Sequence, residues 1–203
     1  GKMGYALAEA ARSRGATVAL VSGPTALPPP AGVEFVPVTT AEEMKKAVLS
    51  RFPWCDTAIM AAAVADFRPK RPATQKLKKS RGPLTELALE PTDDILRELS
   101  ELRTTQRLVG FAAETEDLLA HAREKLHAKH VDLLVANDVT AAGSGFGSDT
   151  NRVVLLDRDG SCTEVPLMSK RDVADRILTR ILELGDSTGG TNTSVHARGC
   201  REE

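Results

Sequence analysis

AAAVADFRPKRPATQKLKK (residues 61–79) begins as the end of an apolar strand and becomes a cationic loop. The strand is DTAIMAA (56–62), and hydrophobicity runs out at Asp66. Pro69 and Pro72 follow, interleaved with Arg68, Lys70, Arg71 and then Lys76, before the pair Lys78 and Lys79. In open α/β sheets, ligands sit at the carboxyl ends of the strands. Ammonium groups on a loop at that edge can neutralise a polyphosphate and stabilise charge that develops as a phosphoanhydride breaks. The plain alternative is a solvated loop with ordinary surface lysines, because charge runs are usually solvated faces.

Upstream of this stretch, KMGYALAEAARSR (2–14) has helical spacing of Met3, Leu7 and Ala10 or Ala11, with Gly15 as its stop. TVALVSG (17–23) is a short apolar strand, the triple proline at 28–30 excludes helix, and VEFVPVT (33–39) is a second strand. Thr40 and Glu43 form a capping-box pattern that opens a helix to about Arg51, ended by Pro53. A parallel sheet normally feeds a strand into a helix such as 2–14. A strand and a glycine-bearing turn are therefore expected upstream of Gly1, with Lys2 at a helix N-terminus, where phosphates bind well.

Downstream, LTELALE (84–90) alternates weakly and reads as a strand, and Thr92 or Asp93 caps a helix to about Leu102 with Asp93 and Asp94 in its first turn. RLVGFAA (107–113) and VDLLVAN (131–137) are buried strands around a helix that ends near His130. TAAGSGFGSD (140–149) is a glycine- and serine-rich loop of the kind that closes over ligands. NRVVLLD and CTEVPL flank the turn Arg158-Asp159-Gly160, and Ser169 with Asp172 caps a last helix that ends near Leu184. The pattern predicts an α/β fold: a doubly wound, mostly parallel sheet with helices on both faces and a C-terminal β-hairpin. Residues 1–185 form one domain, and the polar stretch 186–203 is expected to be disordered.

A net charge of −1 gives no global field for nucleic acid or an anionic membrane, so any anion site must be local. No apolar run approaches the ~20 residues of a membrane span, and a cytoplasmic location is expected. Cys55, Cys162 and Cys200 have neither metal spacing nor a disulfide framework, and read as isolated thiols. His127 and His130 share a helix without an evident third ligand, so no metal site is assigned. The fingerprint GxGxxG is absent. Lys125 and Lys129 are four apart and lie on one helix face. Cations also suit a helix C-terminus for local reasons, and convergence of Lys76 with this pair would favour a polyphosphate site. Phe111 is either core or the wall of a site for a flat base.

Seven pieces, in order over residues 1 to about 184, carry a resemblance: GKMGYALAEAA, AAAVADFRP, KLKK (76–79), LEPTDDIL, VGFAAET, VANDV and GFGSDTN. Together they resemble the bacterial phosphopantothenate–cysteine ligase family, also called phosphopantothenoylcysteine synthetase. In many bacteria this is the C-terminal half of a bifunctional coenzyme A biosynthesis protein. The resemblance implies a Rossmann-like fold and a two-step reaction. The carboxylate of 4′-phosphopantothenate attacks the α-phosphate of CTP, releasing pyrophosphate and forming an acyl-cytidylate. The amine of L-cysteine then attacks the acyl carbon, and CMP leaves. Mg2+ is expected with the triphosphate.

By motif, the resemblance implies that Asp66 contacts the nucleotide and that Lys76 is the catalytic lysine of the activation step, stabilising the leaving pyrophosphate. Thr92, Asp93, Asp94 and Ile95 match a nucleotide-binding segment, although Asp93-Asp94-Ile95 stands where the family usually has Pro-Asp-Ile. Phe111, Lys125 and Lys129 match further nucleotide contacts. Ala62 and Ala63 match small residues that let the backbone approach the acyl-nucleotide. The family has a glycine-rich turn before GKMG, and in it an Asn that stabilises the acyl-cytidylate; the chain without that segment is expected to be impaired. A flavin-dependent decarboxylase half is expected upstream in the full protein, so no FMN site is expected on this chain. A homodimer is implied as well. Two other readings compete on the same scaffold: an NAD(P)- or flavin-linked reductase, and a nucleotide-binding module without activity.

Overall fold

The computed structural model describes residues 1–73, 75, 86–114, 118–138, 143–144 and 147–186. Their elements run α1 (Lys2–Ser13), β1 (Ala19–Ser22), β2 (Glu34–Pro37), α2 (Ala41–Arg51), a 3₁₀ turn (Phe52–Trp54), β3 (Thr57–Met60), β4 (Phe67–Pro69), β5 (Leu89–Pro91), α3 (Ile95–Leu102), β6 (Arg107–Glu114), α4 (Leu118–Lys129), β7 (Leu133–Asp138), β8 (Thr150–Asp157), β9 (Cys162–Ser169) and α5 (Lys170–Asp186).

Five strands form the central sheet in the order β3-β6-β7-β8-β9. The first three are parallel, and the β8–β9 hairpin continues the sheet antiparallel. Gly160, at φ +87°, takes the hairpin turn at a backbone angle that side chains resist. Successive side chains of a strand point to opposite faces, and the central strands are apolar on both. Leu108, Ala112, Leu134 and Ala136 pack with Met44 of α2, Leu99 of α3 and Leu126 of α4. Val109, Leu133 and Val135 pack with Leu7 of α1 and Val173 and Ile177 of α5. Helices therefore cover both faces, as the sequence predicts.

The expected sheet is divided in the structure. β1 and β2 pair in parallel as a separate two-stranded sheet, and among the described residues neither pairs with β3. A strand also stands where the sequence reads only a basic loop: β4 pairs antiparallel with β5. Pro69 and Pro91 are tolerated because an edge ribbon needs few N–H donors. Of the strand expected over 84–90, only Leu89 and Glu90 are in β5, and 84–85 lie outside the described residues.

Caps show where local chemistry decided. Thr40 accepts from Glu43 N–H, and the Glu43 side chain accepts from the Thr40 backbone, completing the predicted box. For α3 the cap is Asp94, whose carboxylate accepts from Arg97 N–H at 3.1 Å, rather than Thr92 or Asp93. Ser169 caps α5, accepting from Asp172 N–H at 3.1 Å. That helix continues through Gly185 to Asp186, and the stretch read as a disordered tail beyond it lies outside the described residues. Asp157, 2% exposed, ties α5 to the hairpin by receiving Arg180 and Ser161. Cys55 is a free thiol. Cys162 is buried in β9, 4% exposed, and Cys200 lies outside the described residues.

Candidate active site

The carboxyl ends of β3 and β6 open on a cavity of about 110 Å³. Ala61, Ala62 and Ala63 leave β3 there, and Phe111, Ala112 and Ala113 approach from β6. The small side chains of Ala62 and Ala63 leave backbone at the wall, and half-buried Phe111 also lines it. The first turn of α1, Gly1 to Gly4, closes another side. Gly1 is its N-cap and offers no side-chain cap, and the first turn has no acidic residue. Its free N–H groups and positive dipole end suit an anion.

Three polar residues that sequence reading left aside complete this cavity: Asn137 at the end of β7, Asn151 at the start of β8, and Lys170 at the start of α5. Both asparagines are buried. Ser144 of the glycine-rich loop holds them, with its Oγ 3.1 Å from Asn137 Oδ1 and 2.7 Å from Asn151 Oδ1. A polar residue ending an apolar strand was the available signal for Asn137. Lys2 donates to Gly147 O at 2.9 Å and to Asp149 at 2.7 Å. Lys170 donates through Nζ to Ser148 O, and its backbone N–H to Asp149 O at 3.0 Å. Two lysines from opposite ends of the chain thus hold residues 147–149. Lys2 holds the Asp149 carboxyl below the usual carboxylate range. Burial pushes the Lys170 ammonium down, Lys2 pushes it further, and Asp149 works against both.

A second group of the expected residues gathers three residues beyond Ala63. Thr92 N–H donates to Asp66 O at 2.9 Å, and Thr92 Oγ1 donates to Ala65 O. Lys129 pairs with Asp94. Burial would raise the Asp94 carboxyl, but the bonds from Lys129 and Arg97 N–H bring it below its ordinary value. Asp93 pairs with Lys45 at 2.9 Å, which lowers its carboxyl too, and Lys45 also reaches Glu98 at 2.8 Å. Lys45 was not legible in sequence because its partners lie some fifty residues away. Ile95 is only 4% exposed and packs in the core, so its side chain does not line this group. Lys125 is exposed one turn before Lys129. Lys76, with Lys78 and Lys79, lies outside the described residues.

The profile of the DNA/pantothenate metabolism flavoprotein C-terminal domain matches residues 1–184. The chain belongs to this family. It is similar to the coenzyme A biosynthesis bifunctional protein CoaBC of Bacillus subtilis (strain 168), 54% identical over 190 residues, which are 93% of this chain and 47% of that protein. It is also similar to a cysteine/cysteine sulfinic acid decarboxylase of an unknown prokaryotic organism, 42% identical over 91% of this chain and 52% of that protein. Among solved structures, it is similar to the C-terminal domain of CoaBC, with a TM-score of 0.77, 42% identity, and coverage of 92% of this chain and 84% of that one. The chain spans about half the length of the curated relatives it matches. Within this flavoprotein C-terminal domain, the alanine cavity and the Asp94–Lys129 group are joined by the strand-end segment 61–66. Among the described residues, no three His, Cys, Asp or Glu side chains are placed to hold a metal, and no helix is long and apolar enough to cross a membrane.

Proposed function

We propose that this domain joins 4′-phosphopantothenate to L-cysteine at the expense of CTP, by way of an acyl-cytidylate, in coenzyme A biosynthesis. The observation that carries the reading is the cavity where Ala62, Ala63 and Phe111 meet the uncapped start of α1. It offers backbone, a flat wall and an anion-favouring helix end in one place, which an acyl-nucleotide requires. The coenzyme A biosynthesis role in the names of the CoaBC relatives supports the pathway.

In this reading the carboxylate oxygen bonds to the α-phosphorus of CTP, and the anhydride bond breaks with its electrons on pyrophosphate. The cysteine amine then bonds to the acyl carbon, CMP leaves with the C–O electrons, and the amine's extra proton passes to water. Lys76 stabilises the departing pyrophosphate. Thr92, Asp93, Asp94, Lys125 and Lys129, with Asp66, hold the nucleotide. Mg2+ would be held chiefly by the triphosphate itself and would supply neutralisation of its negative charge, as hard cations do with phosphate substrates. The protein is a cytoplasmic homodimer, and exposed Phe67 and Leu89 on the β4–β5 ribbon offer an apolar surface for pairing.

The test supplies the protein, extended upstream by the expected strand and glycine-bearing turn, with 4′-phosphopantothenate, CTP, Mg2+ and cysteine, following pyrophosphate and the amide product separately. Ala63→Phe, which fills the cavity, should abolish both signals while the protein stays folded. Normal turnover in that variant would move the active site elsewhere.

A further inference from the structure

A second cavity, about 230 Å³, borders the first and shares Lys2 and Lys170 with it. Its other walls include Tyr5, Glu9, Leu27 and Asp149. The volume is below the ~300–1,000 Å³ typical of sites for drug-sized ligands, so it suits a small molecule. Its lining has two ammonium groups, two carboxylates and an apolar patch. That combination matches a compact zwitterion rather than a simple anion.

The fold concentrates positive potential here. Lys2 and Lys170 are the first residues of α1 and α5. At the other end of α1, Arg14 reaches Asp175 and Thr179 of α5. The two helices therefore run in the same direction, with both positive dipole ends at this wall. Lys170 is 6% exposed, and Asp149 serves both lysines. A buried ammonium beside a second cation gains from a bound carboxylate, because its desolvation is then offset by close attraction.

We propose that this cavity is the subsite for the amino-acid nucleophile, a small free α-amino acid with its carboxylate on Lys2 and Lys170. The inference rests on the ligase reading above, in which that amino acid is L-cysteine. Carboxylate and amine share one carbon, so anchoring the first on the common wall brings the second to the edge of the acyl cavity. Asp149 accepts a hydrogen bond from the amine, and the side chain lies toward Leu27. Local order supports the assignment: a lysine at the first position of a helix opposes the dipole, and this protein places two such lysines side by side.

The experiment separates the two half-reactions. Leu27→Trp fills the cavity from a half-buried loop position, and Asp149→Asn removes the proposed amine acceptor. Pyrophosphate release from CTP and 4′-phosphopantothenate without cysteine reports the first step. Capture of the intermediate by hydroxylamine, which has no carboxylate, reports the acyl cavity. The expected result is a rise of tenfold or more in KM for cysteine in Leu27→Trp, with pyrophosphate release and hydroxamate yield within about twofold of the parent, the scale of ~0.4 kcal/mol. Asp149→Asn should raise the same KM. An unchanged cysteine KM in both variants, with normal pyrophosphate release, overturns the subsite and leaves the ligase reading standing. Absence of pyrophosphate release from the parent extended upstream by the expected strand and glycine-bearing turn overturns the ligase reading itself, and this inference with it.

Discussion

Replacing Arg180 with Met keeps the aliphatic stem and deletes the cation that faces Asp157. The Asp157 carboxylate is 2% exposed, receives Arg180 Nε at 3.1 Å on each oxygen and a further Nη2 bond, and takes Ser161 Oγ at 2.7 Å. Removing one partner of a buried pair costs about 3–5 kcal/mol, because the other charge stays buried without it. The Arg180 side chain keeps 29% of its exposure, which favours the lower end of that range, about 3 kcal/mol. For a domain of this size, each kcal/mol lowers the melting temperature by about 2–4 °C, so the variant should melt about 6–12 °C below the parent. The double variant Asp157→Asn/Arg180→Met removes the buried charge and keeps an acceptor for Ser161, so it should recover at least half of the loss. Calorimetric scans of the parent, both single variants and the double variant measure the coupling. A melting temperature for Arg180→Met within about 2 °C of the parent would refute the reasoning, since it would mean less than about 1 kcal/mol rests on the pair.

Asp94→Asn retains the α3 cap, since Asn caps as well as Asp, and loses only the part-exposed pair with Lys129, so it should melt less than about 2–4 °C below the parent; Asp94→Ala loses the cap as well, about 1 kcal/mol, and should melt about 2–4 °C below Asp94→Asn in the same scans. Lys76→Ala should slow pyrophosphate release far more than it weakens CTP binding, because its interaction is made mainly in the transition state; equal turnover in pulse-quench assays would remove it from the mechanism. The carboxyls of Asp93, Asp94 and Asp149 are all held below their ordinary values. Their contribution to stability is complete above the unfolded carboxylate pKa of about 3.9 and is lost as pH falls through the lower folded values. Melting temperature followed by circular dichroism should therefore drop on acidification through that window, and the drop should be smaller in Asp149→Asn.

The order of elements was legible because each has a local cause. Leu108, Val109, Leu133 and Leu134 sit in short apolar runs, and Thr40 with Glu43 announces α2 in four residues. Ala62 and Ala63 follow β3, at a strand end of the kind where open α/β sheets place ligands, but they and Phe111 were marked as site residues by the resemblance to the ligase family and not by a local pattern. The choice among Thr92, Asp93 and Asp94 as the α3 cap was not legible. All three can cap, and the choice goes with Lys45 and Lys129, which hold the two carboxylates from other helices. The ribbon of β4 and β5 was hidden for a similar reason, since its pairing partner lies about twenty residues along the chain.

Lys2 and Lys170 show what a local rule can reveal when it is broken. A cation in the first turn of a helix faces the positive end of the dipole, so local propensity gives no reason for lysine at either position. Both helices nevertheless begin with one, and the structure brings the two together over residues 147–149. Sequences that fold well satisfy their local rules except at functional sites, where a violation is offset by what it does elsewhere. Part of the offset is visible in the bonds from Lys2 to Gly147 and Asp149 and from Lys170 to Ser148. Fastening a loop needs only hydrogen-bond donors, which neutral side chains also supply. Two ammonium groups at two positive helix ends are charged donors where neutral ones would fasten the loop, and an incoming carboxylate would meet both of them.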